Sequence, residues 1–259
     1  MTNRVPALAV FLSAFLTIAL AASLLGCAGP TATPIPTLRP TPTPTPTPLP
    51  DPSSILVRAA DQLTSDPYLE FDLEHSVGST PLATGLNLAA AEGVANLPDR
   101  FRLVLDMEAS GTVLRLDVIV VGEQAFMTNL FSGAWETVLK EQIPFRFDFV
   151  TESVSNLLAG MDDLTLLGDW ELEGQPTYFI RGAGPTGALT QLIPGALPDS
   201  TIRVELWVNK ADGRLRQVQL TGPLVAGDLP DTVRVVRLKA LERAPKIEAP
   251  EVGAVAEEN

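Results

Sequence analysis

The chain has 259 residues, with 18 Lys and Arg against 31 Asp and Glu, one histidine, one cysteine and a net charge of −13. A single cysteine excludes an intramolecular disulfide and a thiolate-built zinc centre, and the acidity opposes nucleic acid and anionic membrane surfaces, which both call for a basic face. Hydrophobic residues make up 46% and aromatic residues only 6%, so the core is aliphatic, and the length allows one or two domains.

Met1 to Gly26 reads as a targeting segment. Arg4 supplies a thin basic start, and Ala7 to Leu25 is apolar apart from Ser13, Thr17, Ser23 and small residues. Leu24-Leu25-Gly26-Cys27 then sets a small residue directly before the sole thiol. This stretch resembles the bacterial lipobox, although Leu25 stands where a smaller residue is usual. The resemblance implies that Cys27 receives a diacylglyceryl thioether and becomes the N-terminus once the leader is cut. An uncleaved apolar helix is the alternative, since ~20 apolar residues span a bilayer. Either way one end is tied to a membrane, and two or three acyl chains hold firmly where one does not.

Pro30 to Pro50 alternates threonine and proline. Proline fixes φ and removes a donor, so the segment is an extended polyproline II stalk, open to O-linked sugar on its threonines. At about 3.1 Å per residue it reaches roughly 65 Å. The expected organisation is a leader over 1–26, lipidated cysteine and stalk over 27–50, a folded domain over 51–250 and a disordered tail over 251–259.

A helix starts near Ser53, with Ile55, Leu56, Ala59, Ala60 and Leu63 as its apolar face. In "YLEFDLEHSV", Leu69, Phe71, Leu73 and Val77 alternate with Glu70, Asp72, Glu74 and Ser76. "FRLVLDMEASG" repeats the pattern with Phe101, Leu103, Leu105 and Met107, and "VLRLDVIVVGEQAFMTN" with Leu114, Leu116, Val118 and Val120. Gly122-Glu123 between strand patterns is a type II′ hairpin signal. "IPFRFDFV" then alternates Phe145, Phe147 and Phe149 before a helix in "VTESVSNLLAGM", whose stripe is Val150, Val154, Leu157, Leu158 and Met161. Thr151 is placed to cap its start and Gly160 its end. "PTGALTQLIPG" reads as a shorter helix with Pro185 in its first turn. "TIRVELWVNKADGRLRQVQL" is a last hairpin, turning at Asn209 to Gly213. Alternation with one apolar and one wet face is the habit of antiparallel sheets. The predicted fold is α+β: a curved antiparallel sheet wrapped over a few helices.

Catalytic signals are weak. "GAGPTG", Gly182 to Gly187, spells the dinucleotide fingerprint after a strand. Pro185 supplies no N–H to a phosphate, so the stretch reads as a glycine turn. His75 sits on the apolar face near a strand end and reads as a structural histidine. Asp162-Asp163 reads as a solvated turn rather than a cation site, and no spacing resembles a calcium loop. No cofactor is expected. A Ser-Lys pair is the remaining nucleophilic option.

The order of these pieces is lipobox, spacer, early helix, alternating strands, Trp135 after the fourth of them, mid-chain helix and a late hairpin, with a last strand ending near "PKIEAP". It resembles the LppX/LprG family of mycobacterial cell-envelope lipoproteins, which have a LolA-like half-barrel fold. The similarity covers roughly Ser53 to Pro250. Its most specific piece is Leu206-Trp207-Val208 followed by Asp212-Gly213-Arg214-Leu215. A Thr-Pro stalk is not a family requirement. The resemblance implies a half-barrel closed by helices over an apolar cavity that carries acylated lipids, glycolipids or lipoglycans through the envelope. Lining would come from Leu69, Phe71, Leu73, Leu103, Leu105, Leu116, Val118, Val120, Phe145, Phe149, Leu157, Leu158 and Met161. It further implies a monomer on the extracytoplasmic face of the cell membrane, held through Cys27, with a membrane transporter as a possible partner. Alternation fits a cavity and a filled core equally. An accessory surface lipoprotein without a ligand is therefore the alternative function, and an enzyme ranks last.

Overall fold

The computed structural model describes residues 49–253; the leader, Cys27, nearly all of the stalk and the last six residues lie outside them. Helix α1 spans Pro52–Ser65. The Asp51 carboxylate accepts from the Ser54 N–H at 3.1 Å, which caps the helix, and Pro52 takes the first turn, where an N–H would have no partner. Ile55, Leu56, Ala59 and Leu63 form the buried stripe.

Twelve strands follow among the described residues: β1 (Tyr68–Val77), β2 (Thr80–Ala83), β3 (Leu86–Asn96), β4 (Arg100–Ala109), β5 (Thr112–Val121), β6 (Gln124–Thr128), β7 (Trp135–Val138), β8 (Asp162–Leu172), β9 (Gln175–Pro185), β10 (Thr201–Asn209), β11 (Leu215–Thr221) and β12 (Val233–Ala240). Helix α2, Val150–Ala159, lies between β7 and β8. All pairings are antiparallel, in the order β7-β6-β5-β4-β3-β1-β12-β11-β10-β9-β8, with β2 beside β3. The antiparallel α+β fold expected from alternation is the one found.

Register explains why the strands choose these partners. Across one row of the sheet, Leu116, Leu105, Ala91, Leu73, Val236, Val218, Leu206 and Ile180 stand opposite one another in turn. All eight side chains belong to the apolar face or its border clusters. On the wet face, Glu70 meets Lys239 at 3.0 Å and Asp72 meets Arg237 at 2.8 Å. A one-residue slip would bury these charges, so the register is strongly specified.

Several details differ from the sequence reading. The alanine-rich strand β3 was not expected; with β2 it precedes β4, so Trp135 opens the seventh strand. Thr151 does not cap α2. A 3₁₀ turn, Phe147–Phe149, runs straight into the helix, so Phe149 takes the cap position without a side-chain bond. The expected helix after Pro185 is only a 3₁₀ turn, Thr186–Leu189, because Pro185 still belongs to β9. The first four residues of "GAGPTG" are therefore strand rather than a phosphate loop or a glycine turn, and only Thr186 and Gly187 enter the 3₁₀ turn. Gly182 and Gly184 are strand residues paired with Val204 and Ile202. A Cβ at Gly184 would sit 2.8 Å from Leu157 of α2, so the glycine lets the helix lie close on the sheet. Gly122 does turn the β5–β6 hairpin, with φ 59°. The last strand ends at Ala240 rather than near "PKIEAP". Beyond it Ile247 is buried against Ile119, Phe126 and Trp135, and the Gly253 N–H reaches the Trp135 carbonyl at 2.9 Å.

Candidate ligand cavity

Two apolar clusters fill the hollow of the sheet, and Val154, Leu192 and Leu238 touch both. Between them lies a cavity of about 140 Å³. Its floor is the sheet, with Leu73, Ala91, Leu105, Leu206, Val218, Val236 and Leu238. The opposite wall is α2, the Phe145–Phe147 stretch and the Leu189–Ile193 stretch. Among the described residues its only polar lining side chains are Thr80 and Arg234.

Of the thirteen residues named from sequence, Phe71, Leu73, Leu103, Leu105, Phe145, Leu157 and Leu158 line this cavity. Leu116, Val118 and Val120 are buried behind them in the same cluster as Leu103. Met161 is buried in the other cluster, just past the end of α2. Leu69 is buried near Leu63 and Leu215, at the corner between α1 and β1. Phe149 is half-buried with the Arg146 guanidinium 5.0 Å over its ring. Phe147, not among the named lining residues although it alternates with Phe145 and Phe149 in the sequence, lines the cavity and stacks on Phe71 at 4.6 Å between centroids. A strand would put 145, 147 and 149 on one face; the 3₁₀ turn rotates successive residues by about 120° and so takes Phe149 off the face that Phe147 occupies. Arg234 was missed too, although Arg234, Val236 and Leu238 alternate with the outward Val235, Arg237 and Lys239.

One end of the cavity carries a buried polar chain. Arg234 donates from Nε to the Thr80 hydroxyl at 2.7 Å. His75 donates from Nδ1 to the Ala89 carbonyl at 2.8 Å, so in the neutral ring its Nε2 accepts from the Thr80 hydroxyl, also at 2.8 Å. His75 is thus a satisfied structural histidine. Burial, opposed by the Ala89 bond and aided by the Arg234 charge, holds its pKa below the ordinary 6.5. The unfolded chain then takes up a proton first as pH falls below about 6.5. Stability is complete above that pH and declines until the folded-state pKa is passed. Urea midpoints measured between pH 7.5 and 5 are expected to fall for the natural chain and to stay flatter for His75→Gln; parallel slopes would refute the assignment.

The LppX_LprAFG lipoprotein family model matches residues 51–229. The chain belongs to this family. Two solved structures share the LppX/LprAFG fold. LprF from Mycobacterium bovis aligns with TM-score 0.60 at 13% identity, covering 80% of this chain and all of that one. The Mycobacterium tuberculosis lipoprotein LppX aligns with TM-score 0.55 at 15% identity, covering 76% of this chain and 98% of that one. Among curated proteins, none matches the chain by this comparison.

The pieces of sequence that carried the LppX/LprG resemblance are structural. Trp207 lies against Phe179, stacked at 4.7 Å. Arg214 holds the Asp66 carboxylate through two bonds of 2.8 and 2.9 Å, which raises the guanidinium pKa further above its usual range. Arg58 of α1 donates to the Ala211 carbonyl at 3.2 Å. The Asp-Gly-Arg turn therefore clamps the α1–β1 corner. Asp162 pairs with Ala183 across the β8–β9 ladder, and Asp163 sits at a bulge with φ 53°. Among the described residues no three metal-ligating side chains gather, and no helix is long and apolar enough to cross a membrane.

Proposed function

We propose that the protein is an extracytoplasmic lipoprotein, anchored to the cell membrane through Cys27, that takes acylated lipid or lipoglycan into this cavity and carries it in the envelope as a monomer. The observation that carries the proposal is the apolar cavity between the concave sheet and its helical wall. Each CH₂ moved into water costs about 0.8 kcal/mol, so a lipid leaving a bilayer needs apolar walls, and a carrier needs no catalytic group. At 140 Å³ the space suits a benzene-sized group. Seating a whole acyl chain requires the α2 side to move outward from the sheet. A membrane transporter that delivers or accepts the lipid would complete the route.

The test is to produce the chain from Pro48 to its end, extract it with organic solvent and weigh the extract. Starting at Pro48 keeps the Asp51 cap, and running to the end keeps the Gly253 contact. An acylated lipid in near-stoichiometric amount is the expected result. Refusal of both host lipid and added acyl lipids would favour the accessory lipoprotein with a filled core, to which the small cavity lends support. For the anchor, Cys27→Ser is expected to release the protein from membranes; full retention would mean that the apolar leader holds it instead.

A further inference from the structure

We infer that the turn between β6 and β7 is a membrane-insertion tip: Leu130 and Phe131 enter the interfacial layer of a lipid bilayer when the domain docks on it. The inference rests on the Cys27 anchor proposed above and is independent of the cavity. Phe131 is 100% exposed, and Leu130 beside it is exposed as well. The turn does not need either side chain. The Asn129 side-chain oxygen accepts from the N–H groups of Phe131 and Ser132 at 3.0 and 3.1 Å, and the Ser132 hydroxyl accepts from the Ala134 N–H at 3.3 Å. The Asn129 N–H donates to the Ala134 carbonyl at 2.9 Å, and the Gly133 N–H to the Asn129 carbonyl at 2.8 Å. These bonds hold the two apolar side chains out in water, where neither has a packing partner to offset the exposure.

The same bonds suit the turn to lipid. The N–H groups of Asn129, Phe131, Ser132, Gly133 and Ala134 all find acceptors inside it, and a backbone that satisfies its own donors leaves water at small cost. No residue from Asn129 to Ala134 is charged. Glu136 on β7 accepts from the Asn129 amide at 3.0 Å and limits the depth, because a carboxylate stays in water. The two ends of the sheet differ in the same sense. At the end that carries this tip, the other hairpin turns are Thr84-Gly85 and Ser110-Gly111, both uncharged. Val113, just past the second, and Leu229, in the 222–232 connection at this end, are exposed. At the opposite end every hairpin turn carries charge: Asp99, Glu123 and Glu173 in three of them, and Lys210, Asp212 and Arg214 in the fourth. None of those four turns exposes a large hydrophobic side chain.

The tether makes a bilayer the occupant. The stalk keeps the domain within roughly 65 Å of the membrane that holds Cys27, so the tip meets lipid at a high effective concentration. At that range two apolar side chains suffice. Removing one Phe side chain from water favours the docked state by roughly tenfold at the low end, and aromatic rings favour the headgroup level. The net charge of −13 selects an uncharged interface over an anionic one.

The experiment uses the full-length protein in phosphatidylcholine vesicles, with a nitroxide label on Phe131→Cys or, for reference, on Leu139→Cys. Leu139 is an exposed apolar residue past the far end of β7, so both exchanges put the same label in place of a surface hydrophobe and leave the core untouched. The natural chain labelled in parallel corrects for any label on Cys27. Vesicles are floated, and collisions of the label with oxygen and with a water-soluble nickel chelate are read by power saturation. The label at 131 is expected to lose most of its nickel collisions and keep those with oxygen, while the label at 139 stays open to nickel. Full nickel access at both positions on floated vesicles overturns the tip while the anchor stands, and leaves Phe131 to a protein partner. Equal shielding at both positions overturns the tip as the docking element. Failure of the protein to float overturns anchor and tip together.

Discussion

Gly93→Ala is expected to lower stability by about 3 kcal/mol, near the upper end for overpacking a core. The added methyl would lie 2.4 Å from the Arg102 carbonyl oxygen, 2.8 Å from the Phe71 ring and 3.0 Å from Leu103. The first of these is backbone on the neighbouring strand, which cannot retreat without straining the β3–β4 ladder. The side chains of Phe71 and Leu103 have only the cavity to go into, and Phe71 would leave its stack on Phe147. Loss of stability and loss of cavity volume should therefore appear together. Urea unfolding of natural and variant chains measures the first. An unchanged midpoint would show that the sheet is not packed this closely at Gly93.

Two residues away the outcome should be reversed. Ala91 lies between Leu73 on β1 and Leu105 on β4, and all three line the cavity. A ring at this position has space to occupy, about the volume of benzene. Ala91→Phe is expected to cost about 1 kcal/mol or less, because filling a void offsets the repacking. It should weaken binding of an acyl probe roughly tenfold or more, as the ring and the chain compete for one space. Titration of a fluorescent fatty ester checks this. Unaltered affinity in a stably folded variant would place the ligand elsewhere on the molecule.

The same two residues show where sequence reading reached and where it stopped. β1, β4 and β5 were legible because Leu, Phe and Val alternate with charge. β3 was not, because Ala91, Gly93 and Ala95 occupy its apolar face. Small residues carry little hydrophobic signal, and alanine favours helix. Yet their smallness accommodates Phe71 and leaves room for the cavity. The bulge between Leu88 and Ala90 broke the alternation further. Phe149 was misplaced through a change of period from strand to 3₁₀ turn. The glycines of "GAGPTG" were seen but assigned to a turn, since a close helix contact across 27 residues, from Leu157 to Gly184, leaves no local mark. Arg234 was visible by parity alone and needed the neighbouring strands to show that it points inward.

The place of β1 has a consequence for how the chain reaches this state. The first long strand lies in the middle of the sheet, between β3 and β12. The Asp72–Arg237 pair joins residues 165 apart. Neither half of the hollow can close on the other until the final strand has left the ribosome, and closing so long a loop is slow. The sheet of a growing chain thus stays incomplete for nearly the whole of its synthesis.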